Sequence, residues 1–182
     1  TLIHAYCQAH AQTGGRLELE WLVERLNAYL CAHLPDDSFV TLLAVALDPR
    51  SGAVECLNAG HPPGVIVEPD GSRRWLQAER NVAVGMLSNV SYEVQTTRLG
   101  HTETLLLYTD GAFERFDAAA QSFDPNDLVD ALARRLAERP NASAADLEGY
   151  LSGMLKTRRG PKLHADDTTF LVARYPSARV KT

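Results

Sequence analysis

No stretch of this 182-residue chain is apolar for long enough to cross a bilayer as a helix. The longest apolar run, Leu42 to Leu47, has the length of a strand. The charged-then-apolar pattern of a secretory leader is also missing. Basic residues are in the minority, with 18 Lys and Arg against 23 Asp and Glu, a net charge of −5 and a pI near 5.6. That balance argues against a nucleic-acid partner, whose phosphates call for a cationic face. The basic end (Arg158, Arg159, Lys162, Arg174, Arg179, Lys181) reads as a solvated face. Cysteine is scarce too. Cys7, Cys31 and Cys56 are odd in number and match no zinc spacing, so neither a disulfide framework nor a zinc site is expected. Each stands among apolar neighbours and is expected to be a buried free thiol, which favours a reducing, cytoplasmic setting. What is present is ordinary for a globular chain: 45% hydrophobic and 23% charged residues, enough for one packed domain. Thr1-Leu2-Ile3-His4-Ala5-Tyr6 has neither Met nor cap and reads as a helix already under way, so further sequence is expected ahead of it.

The pattern then alternates between two periods. Gly14-Gly15 stops the first helical stretch, and apolar residues at 19, 22, 23, 26 and 30 predict a helix within Leu17 to Leu34. Phe39 to Leu47, β-branched and apolar, reads as a central strand covered on both faces. A turn at Asp48-Pro49-Arg50-Ser51-Gly52 returns the chain through Ala53 to Asn58, an antiparallel hairpin. Further strands are expected at Pro62 to Val67, Arg73 to Leu76, Tyr92 to Leu99 (an edge), Thr104 to Tyr108 and Thr168 to Tyr175. Helices are expected at Asn126 to Arg139 and from Ser143 to about Lys156, the second opened by the capping box Ser143-Ala144-Ala145-Asp146. Sheets in the middle and helices at both ends make an α+β fold.

Two acidic motifs stand at strand ends. Leu105-Leu106-Leu107-Tyr108 delivers Thr109-Asp110-Gly111, where the glycine allows a sharp turn. His164-Ala165-Asp166-Asp167-Thr168-Thr169 places two carboxylates just before an apolar strand. Adjacent like charges repel unless a cation or donors are near. Hard divalent ions take oxygen ligands, so carboxylates gathered from distant strand ends suit Mg²⁺ or Mn²⁺. Taken singly, each motif is more often a plain turn than a ligand. A lone His61 in Asn58-Ala59-Gly60-His61-Pro62-Pro63 is likewise more often a turn residue than a catalyst.

The order of these motifs changes that reading. Asn58-Ala-Gly-His-Pro-Pro, then Val84-Gly85-Met86-Leu87, then Leu107-Tyr108-Thr109-Asp110-Gly111, then Asp166-Asp167-Thr168-Thr169 resembles the metal-dependent (type 2C) protein phosphatases, in the bacterial branch of the SpoIIE and Rsb regulators. The resemblance runs from Leu17 to Arg174. It implies an α-β-β-α sandwich of two antiparallel sheets flanked by helices. It also implies a centre of two Mn²⁺ or Mg²⁺ ions held by aspartates, where metal-activated water attacks a phosphoserine or phosphothreonine. On this resemblance Asp110 and Asp166 are metal ligands, while Gly111, Asp167 and His61 line or support the site. Phe113 stands where threonine is usual. The family's earlier Gly-Asp and Asp-x-x-Gly-like motifs have no match ahead of the helix of Leu2 to Gln12, so residues 1–182 read as a phosphatase domain lacking its N-terminal strands and first metal motifs. The implied partners are a phosphorylated anti-anti-sigma (STAS) protein and an upstream receiver or sensor domain; a homodimer is left open. The competing expectation is a pseudophosphatase that binds such a partner without cleaving phosphate.

Overall fold

A computed structural model of the chain describes residues 7–8, 18–35, 37–76, 81–112, 125–159 and 168–174. Within them lie three named helices and seven strands: α1 (Leu19–His33), β1 (Leu42–Leu47), β2 (Ala53–Ala59), β3 (Gly64–Val67), β4 (Arg73–Leu76), β5 (Gln95–Arg98), β6 (Thr104–Tyr108), α2 (Pro125–Glu138), α3 (Ala144–Arg159) and β7 (Phe170–Arg174). The strands form two antiparallel sheets, ordered β1-β2-β5 and β4-β3-β6-β7. The α+β expectation therefore holds. The chain divides into two compact units, residues 1–61 with 77–98 and residues 62–76 with 99–182.

In the first unit α1 packs on β1 and β2. Its apolar stripe behaves as the spacing predicts: Leu19, Leu22, Val23 and Leu26 are buried, and a core forms with Leu57, Ala59, Val84 and Tyr92. Pro35 cannot continue the helix, which closes on the bond from the Leu34 N–H to the Leu30 carbonyl, 2.8 Å. One buried position of this helix is polar. Asn27 accepts from the Gly85 N–H at 2.8 Å and donates to the Leu87 carbonyl at 2.9 Å, holding the 85–87 turn against the helix. Gly85 has φ 86°, and a Cβ there would lie 3.0 Å from Leu34 Cδ1 and 3.3 Å from Leu30 Cβ, so both backbone and space require glycine.

β1 departs from expectation. It is half-buried along its whole length and, among the described residues, β2 is its only neighbour in the sheet. Its continuous apolar sequence reads like a doubly covered strand, but composition cannot tell which sheet position a strand takes. The hairpin to β2 does form, in the register Leu47↔Val54 through Leu42↔Ala59. The strand expected over Tyr92 to Leu99 narrows to β5 and pairs only with β2 among the described residues, so it is an edge as expected. Of the three cysteines only Cys56 is fully buried, and burial pushes its thiol up to about 11. Cys7 and Cys31 are half-exposed, which corrects the expectation of three buried thiols.

In the second unit α2 packs on α3 and β3, and α3 packs on β7. Leu128, Leu132 and Leu136 repeat every four residues along one side of α2 and are fully buried, each burial contributing about 2 kcal/mol. They meet Val65, Val67, Leu106 and Tyr108 from the sheet and Leu147 and Leu151 from α3. The capping box forms as predicted. The Ser143 hydroxyl and N–H donate to Asp146 Oδ2 at 2.7 and 3.0 Å, while the Asp146 N–H donates to Ser143 Oγ at 3.1 Å. The Ser143 hydroxyl, helped by its N–H, holds the Asp146 carboxyl below its ordinary value. A carboxyl depressed in the fold contributes stability above its unfolded pKa, about 3.9, and loses it as pH falls through the lower folded value. Asp146→Asn is therefore expected to be less stable than wild type near neutral pH. Denaturant midpoints measured from pH 7 downward should show the gap closing below about pH 4. A gap unchanged across that range would mean that the carboxylate is idle.

Candidate functional site

The site is built by the pairing of β6 with β7. β6 is a buried strand, Thr104 to Tyr108, with only Leu107 less than fully covered. It pairs with β3 on one side and β7 on the other, and its last pair is Tyr108↔Phe170. The ladder is then extended by one backbone bond and one side-chain bond. The Thr109 N–H donates to the Thr169 carbonyl at 2.9 Å, and the Thr169 N–H donates to Thr109 Oγ1 at 3.0 Å. Beyond Thr109 the chain turns through a short 3₁₀ segment, Asp110–Ala112, closed by the Ala112 N–H on the Thr109 carbonyl at 3.0 Å. Thr168 Oγ1 donates to the Gly111 carbonyl at 2.6 Å. The Thr-Asp-Gly motif and the Thr-Thr end of the Asp-Asp-Thr-Thr motif, some 57–60 residues apart in sequence, are thus tied together through Thr109, Gly111, Thr168 and Thr169.

Asp110 is half-buried at the end of this strand. Its Oδ1 accepts from the Gly111 N–H at 2.9 Å, the carboxylate's one hydrogen bond among the described residues. An ionised carboxylate can accept several partners, so capacity for a cation remains. Gly111 is buried and lies in the 3₁₀ turn, and its freedom for positive φ is not used. Asp166 and Asp167 lie outside the described residues, as does Phe113. No group of three or more His, Cys, Asp or Glu that could hold a metal ion occurs among the described residues. Asp110 alone is a hard oxygen donor at a strand end, which fits one place in a Mn²⁺ or Mg²⁺ shell and cannot complete it.

His61 lies in the first unit, half-buried, at the end of β2. The Asn58 side chain grips its backbone from both sides: the His61 N–H donates to Asn58 Oδ1 at 2.9 Å, and Asn58 Nδ2 donates to the His61 carbonyl at 2.8 Å. Gly60, at φ 77°, makes that tight loop affordable. Reading the sequence missed this role for Asn58 and the tie made by Thr109, Thr168 and Thr169. The signal was there, since small hydrogen-bonding side chains flank both acidic motifs and the histidine. The segment Val84-Gly85-Met86-Leu87 is the turn held by Asn27, an asparagine on an otherwise apolar helical stripe. No helix among the described residues is long and apolar enough to cross a membrane.

Known proteins resemble this chain along most of its length. The family model described as stage II sporulation protein E (SpoIIE) matches residues 1–176. The phosphoserine phosphatase RsbP of Bacillus subtilis is 27% identical over 136 residues, covering 74% of this chain and 30% of that protein. Protein IcfG of Synechocystis is 25% identical over 138 residues, covering 74% of this chain and 22% of that protein. The chain thus spans less than a third of either relative's length. Among solved structures, the RsbU and RsbW domains of a Mycobacterium tuberculosis protein match with a TM-score of 0.71 at 23% identity, over 92% of this chain and 45% of that one. The PP2C domain with a regulatory fragment of SpoIIE from Bacillus subtilis matches with a TM-score of 0.68 at 20% identity, over 96% of this chain and 48% of that one. At such identities the structural likeness speaks for the fold, and the family match speaks for descent. The chain belongs to the SpoIIE family, the SpoIIE/RsbU-like branch of the metal-dependent type 2C serine/threonine protein phosphatases.

Proposed function

We propose that this chain is part of a Mn²⁺- or Mg²⁺-dependent phosphatase that removes phosphate from a phosphoserine or phosphothreonine of an anti-anti-sigma (STAS) protein, as the output domain of a bacterial signalling protein with an upstream receiver or sensor. The observation that supports this reading is the bond from Thr168 Oγ1, two residues after Asp166 in sequence, to the Gly111 carbonyl of the turn that carries Asp110. Asp166 precedes Thr168 by two residues, a span of at most about 7 Å of chain. Asp110 and Asp166 would hold the metal, with Asp167 and Gly111 supporting them. The divalent ion, when bound, lowers the pKa of its water and offsets phosphate charge. The residues' own part is to fix the carboxylates. The Gly111 N–H orients Asp110, and the threonine ties keep the two strand ends in register.

The test is phosphate release from a phosphoserine STAS protein by the full-length protein that carries this chain. Release with Mn²⁺ or Mg²⁺, lost on chelation and restored by the metal, is the expected result. Saturable binding of the phosphoprotein without any release would replace this reading with the pseudophosphatase one, in which the chain is an adaptor.

A further inference from the structure

Both backbone polar groups of Gly111 are engaged, one from each strand end. Its N–H donates to Asp110 Oδ1 at 2.9 Å, and its carbonyl accepts from Thr168 Oγ1 at 2.6 Å. All of these residues belong to the second unit. Left to itself, the turn that carries Asp110 has little to keep it rigid. It is three residues long, it is closed by a 3₁₀ bond from the Ala112 N–H to the Thr109 carbonyl at 3.0 Å, and its central residue is a glycine, the type with the freest backbone. The bond from Thr168 restrains that freedom from outside the turn. Thr168 stands directly before Thr169, whose N–H donates to Thr109 Oγ1 at 3.0 Å and whose carbonyl accepts from the Thr109 N–H at 2.9 Å. The β-branched side chain of Thr168 has a stiff χ1, so its hydroxyl follows the backbone of this strand end. The path from strand to carboxylate is therefore short: the Thr168 hydroxyl, the Gly111 carbonyl, the Gly111 N–H and Asp110 Oδ1.

We propose that Thr168 is a positioning residue for the divalent ion, acting on Asp110 through Gly111, and that its hydroxyl biases the site toward Mg²⁺ over Ca²⁺. This rests on the phosphatase reading above and adds to it the group that fixes one ligand and the discrimination that follows. The two ions differ in what they ask of a carboxylate. Mg²⁺ demands a near-ideal octahedron with oxygens at about 2.0–2.1 Å, whereas Ca²⁺ accepts six to eight oxygens at about 2.3–2.6 Å in flexible arrangements. A carboxylate held in one place suits the first ion. One allowed to drift with a loose glycine turn loses the first ion sooner than the second.

The experiment is calorimetric titration of Mg²⁺ and of Ca²⁺, each alone, into the metal-free full-length protein that carries this chain. Thr168→Val keeps the shape of the side chain and loses the hydroxyl. It should weaken Mg²⁺ by about tenfold to a hundredfold, the usual effect of removing a partner that orients a metal ligand. Ca²⁺ should weaken less, so the preference for Mg²⁺ falls. Thr168→Ser restores the hydroxyl and should recover most of that preference, and Thr168→Ala takes the place of Thr168→Val should the latter fail to fold. Equal losses for the two ions, or none, would overturn the proposal. A second measurement needs neither metal nor turnover. Residue-resolved hydrogen exchange on the metal-free protein should show the Gly111 and Ala112 amides exchanging faster in Thr168→Val, while those of Leu105 to Leu107 keep their wild-type protection. Unchanged exchange at Gly111 sinks the restraint whatever the affinities do. Mg²⁺ binding that is lost in Asp110→Asn but indifferent to Thr168→Val overturns this proposal and leaves the phosphatase reading standing. A wild type that binds neither ion overturns both.

Discussion

Asp110→Asn is expected to lower metal-dependent phosphate release by about a hundredfold or more, because losing a ligand charge removes several kcal/mol of transition-state stabilisation and each 1.4 kcal/mol is about tenfold. The substitution is chosen for what it preserves. Asparagine has the shape of aspartate and keeps a carbonyl oxygen where Oδ1 accepts the Gly111 N–H. The residue is half-buried, so a neutral amide can be hydrated there at little cost. The β6–β7 ladder and its threonine ties run through other atoms. Thermal unfolding should move little, while saturable Mn²⁺ binding in calorimetry should weaken in step with the rate. Equal rates for wild type and Asp110→Asn under saturating Mn²⁺ would refute the role assigned to this carboxylate.

The second large effect concerns stability. Among the described residues the guanidinium of Arg174, the last residue of β7, binds carbonyls. Nη1 donates to the Ala142 carbonyl, and Nη2 donates to those of Pro140 at 2.9 Å and Thr102 at 3.1 Å. One planar group therefore joins the α2–α3 turn and the β5–β6 turn to the end of the sheet. Burial pulls the Arg174 pKa down from its ordinary value, yet guanidinium stays charged throughout the working range. Arg174→Met keeps much of the stem's packing and removes every donor. Hydrogen bonds to charged groups contribute about 1.5–3 kcal/mol each, and two of the carbonyls released, those of Pro140 and Thr102, belong to exposed residues, so a net loss of about 2–3 kcal/mol is expected. For a chain of this size that is a fall of about 4–12 °C in Tm. Arg174→Lys should recover only part of it, because an ammonium cannot span the three carbonyls as a fork does. If Arg174→Met unfolds with the wild-type midpoint in urea, the fork is decorative.

The elements that repeat a period were legible from sequence. α1, α2 and α3 follow apolar residues three and four apart, and β6 begins and ends where the apolar run does, at Thr104 and Tyr108. Ser143 and Asp146 announced their box by spacing alone, because its bonds are local. Partner choice was not legible. Nothing in the composition of Gln95 to Arg98 says that it returns to β2, or that β3 skips to β6 and so splits the strands into two sheets. Those pairings are decided by long-range contacts that single-strand patterns do not encode. The same limit applied at the site. Asp110 could be singled out as an acid at a strand end, whereas the hydroxyls of Thr109 and Thr168 look like ordinary turn residues until the strands meet.

That meeting also sets a schedule for the ribosome. Thr109 and Thr169 are 60 residues apart, with α2 and α3 between them. At about 5–20 residues per second, β6 waits about 3–12 s for β7 to be made. During that interval β3 and β4 can already pair beside it, but its other edge, bearing Leu105 and Leu107, is open to any strand that passes. The Asp110 end of the sheet is therefore completed only once β7 has been made, and a chain released before Thr168 would carry the acid motif on an unguarded, aggregation-prone edge.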